Sequence, residues 1–248
     1  ACTGSDATLA AVISNPETHE KYPINDHTLI PHLAVLDPEL TLKLPKQMTA
    51  TTGMDALTHA VEAYIGRSNT KETERDAIEA TRIIMQDLVA VYADGDDVVR
   101  RGNMLKAAYL AGKAFTRAYV GYVHAIAHTL GGFYGIPHGL ANSVILPHML
   151  DYFGASAEKR LADLARKSKT VDETLDDASA AKAFIARIRA MNKSMAIPET
   201  LTGIKSEDVP LMVKRALSEA NPLYPVPRIL NGQELTEVFG IISNGSIV

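Results

Sequence analysis

The sequence predicts a mainly α-helical protein that is preceded by a short segment of strands and turns. From about Pro45 onward, apolar residues recur with helical spacing. Before that point, short apolar runs end at Asn15-Pro16 and at Asp37-Pro38. Such pairs mark turns, and short apolar runs between turn signals are typical of strands. We therefore divide the chain into residues 1–45 and residues 46–248.

The first part contains two predicted strands, Thr8–Ser14 and Leu33–Leu36. In the second part we expect about seven to nine helices from the periodicity. The candidate segments are 46–64, 72–92, 97–116, 119–131, 137–151, 157–167, 175–192, 206–219 and 232–241. We expect Gly131-Gly132 to weaken the helix at 119–131, because glycine is a poor helix former.

The composition is that of an ordinary globular protein, with 46% hydrophobic and 22% charged residues among 248. A net charge of −4 gives no reason to expect a nucleic-acid or membrane partner. Cys2 is the single cysteine, which excludes an intrachain disulfide and is compatible with a reducing compartment. No apolar run is long enough to span a bilayer. We therefore expect a cytoplasmic protein.

Histidines are concentrated in one stretch of the chain. His124 and His128 are four residues apart, so on a helix they share one face. A turn at Gly135-Ile-Pro137 then allows His138 to return to the same space. A single histidine on an apolar helix is usually an ordinary buried polar residue. Three in this arrangement favour a site for a divalent transition metal.

A second segment places Asp55 and His59 at the same helical spacing. Together with His124 and His138 they could form a site of one carboxylate and three imidazoles, which suits Fe(II) or Zn(II). Glu62 follows on the same helix and could orient a ligand imidazole by accepting a hydrogen bond. More often, such a glutamate is solvated or caps a helix.

Three motifs carry a resemblance to a known family. They are Gly-x-Asp-Ala-x-x-His-Ala-x-Glu at 53–62, His-Ala-x-Ala-His-x-Leu-Gly at 124–131 and Pro-His-Gly at 137–139. In this order and spacing they resemble the iron-containing (group III) alcohol dehydrogenase family, and the likeness runs from Thr3-Gly-Ser-Asp6 to about Tyr152. The resemblance implies a dehydroquinate synthase-like fold. Residues 46–248 would be its helical metal-binding catalytic domain, and residues 1–45 a remnant of its α/β nucleotide-binding domain.

The resemblance also assigns roles to individual residues. It makes four residues the metal ligands: Asp55, His59, His124 and His138. His128 matches a histidine that is not a ligand and is implicated in proton transfer. Thr3 and Ser5 match positions near the cofactor, and Lys21 matches by spacing alone. Without the resemblance, Thr3-Gly-Ser-Asp6 would simply be a turn.

The implied protein is an oxidoreductase that interconverts an alcohol and an aldehyde or ketone. It would use Fe(II) or Zn(II) with NAD or NADP, act on a small alcohol or aldehyde, and form a homo-oligomer. In the family, a segment like Thr3-Gly-Ser-Asp6 follows a nucleotide-binding half, and this sequence contains no G-x-G-x-x-G. We therefore expect a C-terminal fragment that binds metal but does not turn over alone. A natural short protein is the alternative.

Two other functional classes stay open. A metallohydrolase could use the same residues to activate water, although the HExxH motif is absent because Ala125 follows His124. A non-catalytic helical interaction module could retain the histidines as relics, and metal content would distinguish it. The chain also departs from the family after Asn221-Pro222, since arginine stands only at 228. That departure bears on the substrate pocket.

Overall fold

A two-stranded hairpin precedes nine α-helices in residues 3–243, the part of the chain that the computed structural model describes. Residues 1–2, which include Cys2, and residues 244–248 lie outside it. The helices are α1 (Lys46–Ile65), α2 (Lys71–Ala93), α3 (Val98–Ala118), α4 (Tyr122–Tyr134), α5 (His138–Phe153), α6 (Ala155–Lys167), α7 (Asp177–Ser194), α8 (Val209–Ala220) and α9 (Gly232–Ile242). The mainly helical fold is therefore confirmed. Within the described residues, each helix is too short or too polar to cross a membrane.

The hairpin consists of β1 (Ala10–Asn15) and β2 (Glu20–Asn25), which pair in antiparallel register from Ala10 opposite Asn25 to Asn15 opposite Glu20. β1 confirms the predicted first strand with slightly shifted bounds. The sequence did not indicate β2, because Pro23 interrupts it opposite Val12. A proline is tolerated here because both strands of a two-stranded sheet are edge strands.

The second predicted strand, Leu33–Leu36, is wrong. This segment has no regular structure, and Leu33 and Val35 are 78% and 80% exposed. A strand is stabilised by a ladder of hydrogen bonds to a neighbour. No strand pairs with this segment in residues 3–243. Its apolar composition alone therefore did not determine its conformation.

Helix α1 runs through the centre of the molecule. Every residue from Gly53 to Ile65 is buried, and the helix packs against α2, α3, α5 and α6. A helix that is enclosed on all sides normally carries apolar residues. Here it also carries Asp55, His59 and Glu62 into the interior. Buried polar and charged groups are costly unless they find partners, so these three side chains mark the site.

The predicted helix end at Gly131 is too early, because α4 continues to Tyr134 and is followed by its C-cap Gly135. The glycines serve a different purpose. A Cβ atom on Gly132 would lie 2.2 Å from the carbonyl oxygen of His19 in the hairpin turn. The missing side chain therefore lets the hairpin lie directly on α4. This contact places the hairpin over the histidine cluster.

A second close approach brings α5 onto α1. A Cβ atom on Gly139 would lie 2.5 Å from the backbone oxygen of Thr51. Gly139 follows His138, and Thr51 stands one helical turn before Asp55. The absence of a side chain at this crossing therefore allows His138 and Asp55 to come together.

Gly139→Ala should destabilise the protein by about 1–3 kcal/mol, because the added methyl group meets backbone that cannot rotate away. Gly240→Ala is the matched control, since no atom lies within 4 Å of its added Cβ in α9. The control should be neutral or stabilising by up to about 1 kcal/mol. Urea unfolding of both variants measures the difference. Equal stability of the two would contradict the tight crossing.

Candidate metal centre

A cavity of about 600 Å³ lies between the hairpin and the helices. Its wall includes Asp55 and all four histidines of the sequence motifs, namely His59, His124, His128 and His138. Asp55 and His59 come from α1, and the other three come from α4 and the first residue of α5. Their spacing along these helices turns them toward one space, as the i, i+4 pattern predicted.

Three of these side chains bring potential ligand atoms within 4.8 Å of one another: Asp55, His124 and His138. The Oδ1 atom of Asp55 lies 3.7 Å from Nε2 of His124 and 3.5 Å from Nε2 of His138. His59 is outside this set. Its ring stacks on that of His124, with ring centres 4.5 Å apart, and on Phe115 at 4.3 Å.

Glu62 organises the start of α4. One carboxylate oxygen accepts hydrogen bonds from the backbone N–H of Gly121 at 2.9 Å and from Nδ1 of His124 at 2.6 Å. The other oxygen accepts from the backbone N–H of Val123 at 2.9 Å. The structure thus gives Glu62 the orienting contact with an imidazole that the sequence left open, and that imidazole is His124.

Two imidazoles are held in the same way. His59 donates from Nδ1 to the backbone oxygen of Thr3 at 3.0 Å, as His124 does to Glu62. In both rings Nε2 is therefore the nitrogen left for another partner. Hydrogen bonding of one ring nitrogen to a carbonyl or carboxylate is the usual way in which proteins orient a metal-binding histidine.

The cluster contains buried polar atoms without hydrogen-bond partners in the described structure. These are Oδ2 of Asp55, Nε2 of His124 and Oδ1 of Asn142. Unpartnered buried polar atoms are rare and costly. Asn142 also donates from Nδ2 to Oδ1 of Asp55 and lies 3.1 Å from Nε2 of His138. Oxygen and nitrogen donors without partners, grouped around a buried carboxylate, fit a divalent cation.

The electrostatics of the cluster favour a positive charge. Burial opposes the charged form of His124, but the carboxylates of Asp55 and Glu62 outweigh it and raise the pKa of His124 to about 9. Burial would also raise the pKa of Asp55, yet the imidazoles of His59, His138 and His124 hold it well below its usual range. The two carboxylates thus favour a positive charge beside them. A proton on His124 would supply that charge, and a bound metal cation would supply it equally.

Two further imidazoles, those of His59 and His138, favour the neutral form. Burial lowers the pKa of His59 to about 4 and that of His138 to about 3, although Asp55 opposes both shifts. Neutral imidazole is the form that binds a metal through its lone pair.

His128 has a different environment. Its Nδ1 atom lies 2.8 Å from Oε1 of Glu219 in α8, and its ring stacks on His138 with centres 5.2 Å apart. The same oxygen of Glu219 accepts a hydrogen bond from the hydroxyl of Tyr224 at 2.8 Å. His128 is thus in the cavity wall but outside the three-residue set of close ligand atoms.

The three residues predicted to bind a cofactor line the same cavity: Thr3, Ser5 and Lys21. The hydroxyls of Thr3 and Ser5 are 2.9 Å apart. Lys21 lies on β2, with its ammonium group beside Gly131 of α4. The structure therefore brings these residues and the histidine cluster into one space.

Sequence reasoning missed three polar residues around the cluster. Asn142 stands four residues after His138 on α5, so its helical spacing was a signal that could have been used. Glu219 lies 91 residues beyond His128 along the chain and contacts its imidazole. Tyr224 lies in the loop after α8 and contacts Glu219. No local pattern indicated their positions.

Comparison with known proteins places this architecture. Residues 49–242 match the model of the Fe-containing alcohol dehydrogenase family, C-terminal. A 1,3-propanediol dehydrogenase of Citrobacter freundii is 40% identical over 239 residues, which cover 96% of this chain and 62% of that protein. An NAD-dependent methanol dehydrogenase of Bacillus methanolicus is 36% identical over 238 residues, covering 95% and 62%.

A solved structure agrees with these relatives. The alcohol dehydrogenase from Oenococcus oeni superposes with a TM-score of 0.91 at 35% identity, covering 97% of this chain and 63% of that one. The chain therefore spans somewhat less than two thirds of the length of these relatives. With the family model matched over most of its length, the chain belongs to the Fe-containing alcohol dehydrogenase family.

Proposed function

We propose that this chain forms the metal-binding part of an NAD(P)-dependent alcohol dehydrogenase, which interconverts a small alcohol and its aldehyde or ketone. The observation that carries the proposal is the cluster of Asp55, His124 and His138, whose ligand atoms lie within 4.8 Å of one another. In it, Oδ2 of Asp55 and Nε2 of His124 are buried without a hydrogen-bond partner in the described structure. The family membership supports the reaction class.

The proposed ligands are Asp55, His59, His124 and His138, binding Fe(II) or Zn(II). For His59, the hydrogen bond from Nδ1 to Thr3 supports binding through Nε2. For His124, the bond to Glu62 supports the same. Asn142 would hold the carboxylate of Asp55 by donating to Oδ1.

When bound, a divalent metal would act as a Lewis acid toward the oxygen of the alcohol or carbonyl group. The other roles belong to the chain itself. His128, which lines the cavity without a close ligand contact, would take up or release the proton of the reacting hydroxyl group. Phe115 and Tyr119 contribute to the cavity wall and would help to limit the size of the alcohol.

Thr3, Ser5 and Lys21 are the proposed contacts to NAD or NADP. Their support is that two hydroxyls and an ammonium group face the same cavity as the histidine cluster. The relatives include a methanol dehydrogenase described as NAD-dependent, which favours a nicotinamide as the hydride acceptor. A metallohydrolase would need none, so hydrolysis without nicotinamide would be its sign. A non-catalytic module would bind no metal.

Asp55→Ala and His138→Ala should abolish stoichiometric metal binding, because each removes a proposed ligand. His128→Ala should retain about one metal per chain, since His128 is proposed to act only on the proton. Elemental analysis of anaerobically purified protein, after addition of Fe(II) or Zn(II), measures the metal content.

The three variants control one another, because all shorten a polar side chain in the same cavity wall. Equal loss of metal in all three would make His128 a ligand and overturn its proposed role. Absence of metal from the unmodified chain would remove the basis of the proposed function.

Glu62→Gln should weaken Zn(II) binding by roughly 10- to 100-fold, because the group that orients His124 is changed. Three N–H groups point at this carboxylate. Whichever way the amide of glutamine is turned, its NH₂ group faces at least one of these donors. Competition with a chromophoric chelator measures the dissociation constant.

Glu79→Gln is the matched control, since Glu79 pairs with Arg82 on α2 and not with the cluster. It should leave the dissociation constant unchanged. An unchanged affinity in Glu62→Gln as well would show that the orientation of His124 does not depend on this carboxylate.

A further inference from the structure

Glu219 of α8 is the hydrogen-bond partner of His128. The two side chains are only 10% and 8% exposed, and Nδ1 of the imidazole is 2.8 Å from Oε1 of the carboxylate. His128 is part of the cavity wall, whereas Glu219 is not. Because Glu219 engages Nδ1, Nε2 is the ring nitrogen of His128 left for a partner in the cavity.

The direction of this hydrogen bond follows from a second contact. The hydroxyl of Tyr224 donates to the same Oε1 atom at 2.8 Å. Burial and the nearby Glu219 raise the pKa of Tyr224, so its hydroxyl keeps its proton. A carboxylate oxygen has no proton to donate and can accept more than one hydrogen bond, so it accepts from the imidazole as well. Nδ1 of His128 is therefore the donor.

Glu219 and Tyr224 are held firmly against the helix that carries His128. The backbone N–H of Tyr224 donates to the oxygen of Ala220 at 2.7 Å. Tyr122 of α4 donates from its hydroxyl to Oδ1 of Asn221 at 2.9 Å, and accepts at 3.0 Å from the backbone N–H of Leu230. The loop after α8 is thus fixed to α4 at both of its ends.

We infer that Glu219 is a positioning residue, which holds His128 in the tautomer with a proton on Nδ1 and a lone pair on Nε2. A free imidazole can carry its proton on either nitrogen, and the hydrogen bond made by one nitrogen decides the state of the other. Only a lone pair on Nε2 allows His128 to accept a proton from the cavity. The use of that lone pair in proton transfer rests on the proposed function, whereas the tautomer itself does not.

The test is NMR of the ¹⁵N-labelled chain, in which long-range ¹H–¹⁵N correlations identify the protonated nitrogen of each neutral imidazole. The signals of His128 are assigned from their loss in His128→Gln. In the unmodified chain, Nδ1 should carry the proton and Nε2 should not. Glu219→Met and Glu219→Leu replace the acceptor with apolar groups, so the tautomer should change to a proton on Nε2 in most molecules.

Three further variants separate positioning from packing. Glu219→Gln keeps a carbonyl oxygen that can accept the bond, so it should retain the original tautomer. Tyr224→Phe leaves the bond between His128 and Glu219, so it should do the same. Glu237→Met is the matched control, because Glu237 also accepts a bond from a tyrosine hydroxyl, that of Tyr152 at 2.8 Å. It should have no effect on His128.

A proton on Nε2 of His128 in the unmodified chain would overturn the inference. An unchanged tautomer in both Glu219→Met and Glu219→Leu would do so as well. The measurement is made with and without Zn(II), and the metal content is determined in parallel. A chain that binds no Zn(II) yet shows the Nδ1 proton would contradict the proposed function and still support the role of Glu219.

Discussion

The carboxylate of Glu62 is the interaction on which the arrangement of the site depends. Helix α4 begins at Tyr122, and its N-cap residue Gly121 has no side chain to bind the free N–H groups of the first turn. Glu62 of α1 supplies that acceptor from outside the helix. A negative charge at this position also interacts favourably with the helix dipole. The same carboxylate binds His124. Glu62 therefore both caps the start of α4 and orients the imidazole of His124.

The consequence of this contact is a fixed register between two helices. Asp55 lies two turns before Glu62 on α1, and His124 lies at the start of α4. Once Glu62 binds the end of α4, Nε2 of His124 is directed to within 3.7 Å of Asp55. Two carboxyl groups and a cluster of imidazoles are then enclosed together. Burying such charges would be costly in a purely structural core, which supports the proposed cation site.

The sequence predicted what depends on local spacing. The helix bounds follow from periodicity, and Asp55 and His124 were found because residues four apart share a helical face. The partners of Glu62 and of His128 could not be predicted, since they lie 62 and 91 residues away along the chain. The prediction of a strand at Leu33–Leu36 was wrong for a related reason, because a strand requires a partner that the local sequence does not reveal. The contact of Gly132 with the hairpin could not be predicted either, because it joins segments far apart along the chain.

The two groups of proposed functional residues stand on different supports. The metal-site residues are carried by long, buried helices, which hold side chains accurately. Thr3, Ser5 and Lys21 belong to the N-terminal segment, which rests on α4 through Gly132 and on α8 through Arg215. The guanidinium group of Arg215 donates to the backbone oxygens of His19 and Thr18 at 3.0 and 2.8 Å. Helix α8 also carries Glu219, so one helix supports both the hairpin and the imidazole of His128. The distance from Lys21 to His128 is therefore set by α8 as well as by α4.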